Sequence, residues 1–272
     1  MLKEGPLILL DCRHYFHRHC LVSRICKRWT TNRITFSHVY CCLCNSWINC
    51  SNNPDIQSIV DREKKLYDQI VDNAMVRFEL EGLHKDEAFT NPKGDFYQKK
   101  IEFALYKFSY YLCYKCENPY FTGMVDCVFE ADQEEEKLQK DQLLCSECRD
   151  LSNIEGITEC EYHGREYIVW KCRFCCNVSK FFCWGTTHFC KDCHTKQLNK
   201  DYLTKKSINE FPQCPGIDKC PLKMKHARNG EEFGIKCLLC DTNSNSTCSI
   251  PSNTDDKEKM NKDKEKTNDI EK

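Results

Sequence analysis

The run Lys171-Cys172-Arg-Phe-Cys175-Cys176-Asn-Val-Ser-Lys180-Phe-Phe-Cys183-Trp-Gly-Thr-Thr-His188-Phe-Cys190-Lys-Asp-Cys193-His194 decides what kind of chain this is. It opens and closes on Cys-x-x-Cys pairs, Cys172/Cys175 and Cys190/Cys193. Two thiolates three positions apart can grip one tetrahedral ion, whereas disulfide partners need no such local pairing. The same gap recurs at Cys41/Cys44, Cys113/Cys116, Cys145/Cys148 and Cys237/Cys240, and Cys160/His163 repeats it with a histidine. Histidine has no role in a disulfide. The expectation is structural zinc in a reducing compartment, cytoplasm or nucleus, rather than a secreted disulfide scaffold.

Composition agrees. Cysteine supplies 24 of 272 residues, far above ordinary usage, while 10 glycines and 8 prolines exclude collagen-like and low-complexity chains. Lys+Arg 40 against Asp+Glu 41 leaves a formal charge of -1, which argues against a nucleic-acid partner, whose phosphates call for a basic excess. The short basic patch Arg24, Lys27, Arg28 and Arg33 does not change that. The first apolar run, Leu7-Ile-Leu-Leu10, is too short for a secretory signal, and no run approaches the roughly 18 apolar residues of a membrane span. No membrane partner is expected.

Four regions follow from the cysteine distribution: 1–50, a first cysteine/histidine cluster; 51–110, free of cysteine; 111–250, a second and longer cluster; and 251–272, a charged tail expected to be disordered. The cysteine-free region opens on Asn53-Pro54, a good helix start. Ile56, Ile59, Val60, Leu66, Tyr67, Ile70, Val71, Ala74, Met75 and Phe78 then follow a helical period, with Glu63 interrupting the stripe and Gly82 able to close the helix. Such a helix is roughly 40 Å long. It either separates two zinc modules or serves as the core helix of one. A second helical stretch is expected from about Phe96 to Tyr111.

In the second cluster the six short-gap pairs, the looser pair Cys214/Cys220, and His188 and His226 make sixteen ligands, enough for about four zinc ions. Cys176 competes with Cys175, and the pairing between hooks is not deducible from spacing. Cys127, Cys183 and Cys248 are left over. Cys248 borders the tail. Cys127 stands alone between Glu117 and Leu144, a stretch read as a mobile loop where a thiol can be exposed and reactive. Cys183 lies in an aromatic-rich turn anchored by hooks on both sides, and His194 follows eleven residues later. A thiol held near a histidine is the arrangement of covalent catalysis; a packing residue is the bland alternative.

Cys12-Arg-His14-Tyr-Phe-His17-Arg-His-Cys20 followed by Cys41-Cys-Leu-Cys44 resembles the RING finger, whose ligands interleave in a cross-brace. The resemblance implies that Cys12, His14, Cys41 and Cys44 form one zinc site and that His17 and Cys20 are half of another. The upstream Cys-x-x-Cys of a RING is absent from the residues before Cys12, so the chain starts inside a RING or carries a degenerate one, with one or two ions there. The fold class expected is therefore a set of small zinc-stabilised α+β modules: a partial cross-brace RING at 1–50, a helical linker at 51–110, and an irregular multi-zinc tandem-cysteine domain at 111–250.

The strings Glu81-Gly-Leu-His-Lys85, Tyr110-Tyr-Leu-Cys-Tyr-Lys-Cys116, Lys171-Cys-Arg-Phe-Cys-Cys176, Gly185-Thr-Thr-His-Phe-Cys190 and Gly230-Glu-Glu-Phe233 resemble the C-terminal catalytic region of the PAM/Highwire family of RING-Cys-relay ubiquitin ligases. The likeness runs from about residue 9 to 240. It implies partners in a ubiquitin-loaded conjugating enzyme, ubiquitin and a protein substrate. In that family ubiquitin passes to a cysteine on a mediator loop, then to a second cysteine, then to a hydroxyl, preferentially of threonine. By resemblance Cys127 and Cys183 match the two cysteines and His194 the general base. Trp184 and Phe189 match positions that shape the threonine pocket, with Trp184 replacing a phenylalanine. Gln142 stands where a glutamate is expected and Gln197 where a pocket aromatic is expected, which bears on the threonine preference. The rival reading is a zinc-binding adaptor with an incomplete RING.

Overall fold

The computed structural model describes residues 5–124 and 140–242. Strands β1 (Leu7–Leu9) and β2 (Tyr15–His17) pair antiparallel, and helix α1 (Arg18–Lys27) follows directly. Leu10, Leu21, Ile25, Val39 and Ile48 form the core of this first module, into which Cys50 also packs. Arg28 ends α1 in the left-handed region, at φ 54°, an uncommon conformation for a side chain of this size.

Helix α2 (Pro54–Leu80) begins as the sequence predicts: the Asn53 side chain accepts from the Ile56 N–H at 3.2 Å and proline takes the first helical position. Gly82, at φ 67°, supplies the left-handed residue just beyond it. Its apolar stripe serves two cores. Ile56 and Val60 complete the first module, whereas Leu66, Ile70, Ala74 and Phe78 pack with Leu83, Phe103, Phe108 and Tyr110 in a second. Glu63, the break in the stripe, lies between the two sets and is itself buried. It accepts from Arg28 Nε at 2.8 Å and pairs with His38 Nε2 at 3.0 Å. The helix is thus neither a bare spacer nor the property of one module.

After the four-residue α3 (Glu87–Thr90), helix α4 (Lys100–Lys107) is shorter than the Phe96–Tyr111 stretch predicted from sequence. From Phe108 the chain turns into strand β3 (Phe108–Leu112), because Phe108, Tyr110 and the ring of Phe121 meet across an antiparallel pair with β4 (Pro119–Met124). Part of the Glu117–Leu144 stretch read as a loop is therefore strand. Pro119 opens β4, where the missing N–H costs least. Gly123 is required within it: φ is 126°, and a Cβ there would meet the Lys180 carbonyl at 2.8 Å.

The second sheet has the order β3-β4-β7-β8, with β7 (Phe181–Cys183) and β8 (Thr187–Phe189) forming a hairpin. The third has the order β5-β9-β6, from Glu155–Gly156, Phe233–Cys237 and Ile168–Trp170 respectively. Helix α5 (Lys191–Lys196) follows β8, and α6 (Leu238–Thr242) follows β9. The Arg77 guanidinium ties α2 to this part of the chain, lying 3.7 Å from the Phe121 ring centroid and donating to the Glu166 carbonyl at 2.9 Å. No described helix is long and apolar enough to cross a membrane.

Candidate metal centres and the Cys183 hairpin

Five groups of four thiols and imidazoles come together: Cys12/His14/Cys41/Cys44, Cys113/Cys116/Cys145/Cys148, Cys160/His163/Cys237/Cys240, Cys172/Cys175/Cys190/Cys193 and Cys176/Cys214/Cys220/His226. Each has its donor atoms within 4.8 Å of one another. A tetrahedral ion bound at about 2.3 Å by sulfur and about 2.0–2.1 Å by nitrogen sets S···S edges near 3.8 Å and S···N edges near 3.6 Å. The observed edges fit. Cys116–Cys145 is 3.7 Å, Cys160–Cys240 3.6 Å and Cys175–Cys190 3.5 Å. His14 Nδ1 lies 3.5 Å from Cys12 and 3.6 Å from Cys41, and His163 Nδ1 lies 3.5 Å from Cys240. Disulfides would bring sulfurs to about 2.05 Å. The donor sets are consistent with structural zinc sites.

One ligand of the sixteen counted from sequence needs correction, and one thiol set aside takes its place. His188 joins none of the described groups, and Cys176 takes the sixteenth place in the second cluster. The reason is strand alternation. Phe182 pairs with His188 across the hairpin, so both point away from the face carrying Phe181 and Phe189. The His188 ring is sandwiched between Trp170 at 4.6 Å and Phe182 at 4.4 Å, with Nδ1 bonded to Glu232. Burial pushes its pKa down, against the pull of Glu232. Cys176, one residue past Cys175, faces the other way from its neighbour and reaches a separate group. His17 and Cys20 also join no described group; Cys20 Sγ lies 3.2 Å from His19 Nε2.

The Cys172/Cys175/Cys190/Cys193 group clamps the base of the β7–β8 hairpin. Cys183 sits at the opposite end, paired with Thr187, half-buried and outside all five groups. The turn beyond it uses two successive left-handed residues, Trp184 at φ 55° and Gly185 at φ 62°, closed by the Thr186 N–H on the Cys183 carbonyl at 3.2 Å. A tryptophan in that region is a strained residue held by its surroundings. Gly185 has a second constraint, since a Cβ would meet the Gln142 carbonyl at 2.9 Å. Gln142 thereby lies against the turn through its backbone, while its side chain is exposed.

His194, on α5 directly after the ligand Cys193, is buried and stacks on Phe181 at 4.2 Å, with Phe189 edge-on at 5.7 Å. Trp184 meets Phe189 edge-on at 5.6 Å. Cys183, Trp184, Phe181 and Phe189 belong to one apolar cluster, which Met124 at the end of β4 also joins. Burial pushes the His194 imidazole down to about 4, so at neutral pH it is uncharged. Gln197 is occupied elsewhere: it bonds Thr204 through both its amide oxygen and nitrogen, at 3.2 and 3.3 Å. Cys127 and Cys248 lie outside the described residues.

Fold and site together define a class, a multi-module protein with cysteine/histidine groups that could hold metal ions and with the Cys183 thiol outside those described groups. Over 247 residues the chain is 37% identical to E3 ubiquitin-protein ligase MYCBP2 of Danio rerio, a match covering 88% of this chain and 5% of that protein. Over the same length it is 34% identical to E3 ubiquitin-protein ligase highwire of Drosophila melanogaster, covering 88% of this chain and 4% of that protein. The chain therefore spans about one-twentieth of the curated relatives it matches. No family model matches it.

Proposed function

We propose that this chain is the catalytic part of a PAM/Highwire-type E3 ubiquitin ligase, working by a cysteine relay and stabilised by zinc. The observation that carries the reading is Cys183: a thiol on a rigidly braced turn, excluded from the metal groups, within an aromatic cluster that stacks on a buried neutral imidazole. The likeness to the two ligases supports the reaction class. The first module would act as a RING-type platform for a ubiquitin-loaded conjugating enzyme. Cys172, Cys175, Cys190 and Cys193 would hold a zinc ion that supplies fixed geometry at the hairpin base and at the helix that carries His194.

The chemistry runs in three exchanges. The Cys127 thiolate attacks the thioester of the conjugating enzyme, and that enzyme leaves as its thiolate. Cys183 then attacks the Cys127 thioester and frees the Cys127 thiol. One thioester replaces another at each step, so no driving reagent is needed. Cys127 follows three residues after Met124 in the sequence, and Met124 packs in the cluster of Cys183. In the last step a substrate hydroxyl attacks the Cys183 thioester, His194 takes its proton, and an ester forms as the Cys183 thiolate leaves. An apolar surface at Trp184, backed by the buried Phe189, favours a threonine methyl over a charged lysine amine.

The test is single-turnover transfer from charged conjugating enzyme to free threonine. Wild type should yield a ubiquitin ester that resists thiol and is cleaved by hydroxylamine. Cys183→Ala should stop ester formation while a thioester builds on Cys127; Cys127→Ala should abolish both adducts. Ester formation unchanged in both variants overturns the relay. A second reading, a zinc-binding adaptor, is favoured by His17 and Cys20 standing outside the described ligand groups. It predicts binding of the conjugating enzyme with no adduct on either cysteine.

A further inference from the structure

Behind the Cys183 hairpin, on the face that carries Phe182 and His188, lies a cavity of about 260 Å³. It is bounded by the C-terminal end of α2, strand β4, the run 165–170 and the start of the hairpin. That volume is below the ~300–1,000 Å³ of sites for drug-sized molecules, so its occupant is fragment-sized. Aromatic rings form the walls, Phe121, Tyr167, Trp170 and Phe182 among them.

Three polar atoms of its lining are buried without a hydrogen-bond partner among the described residues: Arg77 Nε, the Tyr120 hydroxyl and Glu166 Oε1. Arg77 and Tyr120 are each 6% exposed. A buried polar group left unpaired costs about 1–3 kcal/mol, so three on one cavity mark a place where a ligand gains by arriving. A fourth lining group, the Arg149 guanidinium, lies 4.8 Å over the Phe182 ring, and burial pushes its pKa down. It forms no ion pair with a described residue. The remaining charges are already matched: Lys180 pairs with Glu81 at 3.1 Å and Arg165 with Glu159 at 2.9 Å.

Within the lining, the charges without an ion pair are thus two guanidinium groups against one carboxyl, Glu166, which burial drives toward its protonated form, while Glu232 behind His188 offsets part of the Arg149 charge. That balance calls for a single negative charge; a phosphate dianion would place excess charge beside Glu166. Planar, fork-shaped donors match a carboxylate. We propose that this cavity binds a carboxylate carried on a short aromatic or apolar stem, the carboxylate held by Arg77, Arg149 and Tyr120 and the stem by the aromatic walls. The source is either a free small acid or the terminal carboxylate of a peptide. The polar groups that carry the site, Arg77, Arg149 and Tyr120, are not among the residues assigned to the relay, although Phe181 and Met124 line the cavity and also pack in the Cys183 cluster.

Binding is tested on the zinc-loaded full chain by two-dimensional NMR and tryptophan fluorescence. The probes are phenylacetate, a tripeptide ending in a free phenylalanine carboxylate, the amides of both, and inorganic phosphate. Saturable perturbation around Tyr120 and Trp170 by phenylacetate, by the tripeptide acid or by both is expected, and which of them binds more tightly identifies the source. The matching amides and phosphate should bind at least about tenfold more weakly, the loss of one charge-assisted pair. Arg149→Gln should weaken binding by a similar factor with zinc content and thermal unfolding unchanged. No saturation by either acid below about 10 mM, or equal binding of acids and amides, or unaltered binding by Arg149→Gln, overturns the proposal.

Discussion

Replacing Glu63 by alanine is expected to loosen the first module from α2. The carboxylate is 3% exposed and accepts from Arg28 Nε at 2.8 Å, with Arg28 Nη2 2.7 Å away in an ion pair and His38 Nε2 at 3.0 Å. Burial alone would raise its pKa, but the hydrogen bonds and charges of His38 and Arg28 outweigh burial and hold it below the ordinary carboxylate value. Breaking a buried pair by removing one partner costs about 3–5 kcal/mol. Arg28 is 35% exposed and can turn to water, whereas His38 at 4% cannot, which favours the lower end, about 3 kcal/mol. On that scale the ratio of folded to unfolded protein falls on the order of a hundredfold. Equilibrium urea unfolding of the zinc-loaded chain measures it, read through Trp29, whose ring lies 6.0 Å from His38 and 5.2 Å from the Arg28 guanidinium carbon. Glu63→Gln adds a pH test. A depressed folded-state pKa contributes stability above the unfolded pKa and loses it as pH falls through the folded one. The stability advantage of wild type over the Glu63→Gln variant should therefore hold down to about pH 4.5, the ordinary carboxylate value, and shrink below it as pH falls through the depressed folded pKa. A Glu63→Ala variant within about 0.5 kcal/mol of wild type would refute the reasoning.

Three further outcomes are expected. His188→Ala should leave zinc stoichiometry by native mass spectrometry unchanged while Cys176→Ser lowers it by one ion; the reverse would restore His188 as a ligand. Gly185→Ala should cost about 1–2 kcal/mol for a side chain at φ 62° and slow ester formation, because the added Cβ presses on the Gln142 carbonyl; unaltered thermal unfolding and ester yield would count against a constrained turn. Lys171 is wholly buried, donates to the Cys172 carbonyl at 2.9 Å and follows β6 beside two thiolate-rich groups. Lys171→Met should weaken zinc retention against a chelator by about tenfold or more, and equal retention would show that its charge is not felt by the ligands.

The local hooks are legible in the sequence because a Cys-x-x-Cys gap fixes two ligands within one turn of chain. Their partners are not, because tertiary topology selects them. The 172/175 pair joins its next neighbour in sequence, but Cys160/His163 waits for Cys237/Cys240, brought back when β9 enters beside β5 and β6. His188 is miscounted as a ligand because its three-residue strand is too short to show a period, and alternation within that strand decides which face the side chain occupies. The amphipathic stripe of α2 is readable. The meaning of Glu63 is not, since its partners come from residues 28 and 38. Strands β3 and β4 are hidden by aromatic residues that fit a helix or a strand equally and by Gly123, whose role depends on the approach of β7. The candidate thiol emerges by subtraction. His194 needs the fold, which stacks it on Phe181 of the same hairpin.

The most direct measurement is the site of the ubiquitin adduct on a Cys183→Ser chain after incubation with ubiquitin-loaded conjugating enzyme. A relay ending at this position predicts a thiol-resistant oxyester mapped by peptide mass to the substituted serine, with the zinc complement intact. Ubiquitin found only on Cys127, or on neither position in a fully metallated chain, would contradict the assignment of Cys183 as the thiol from which ubiquitin leaves.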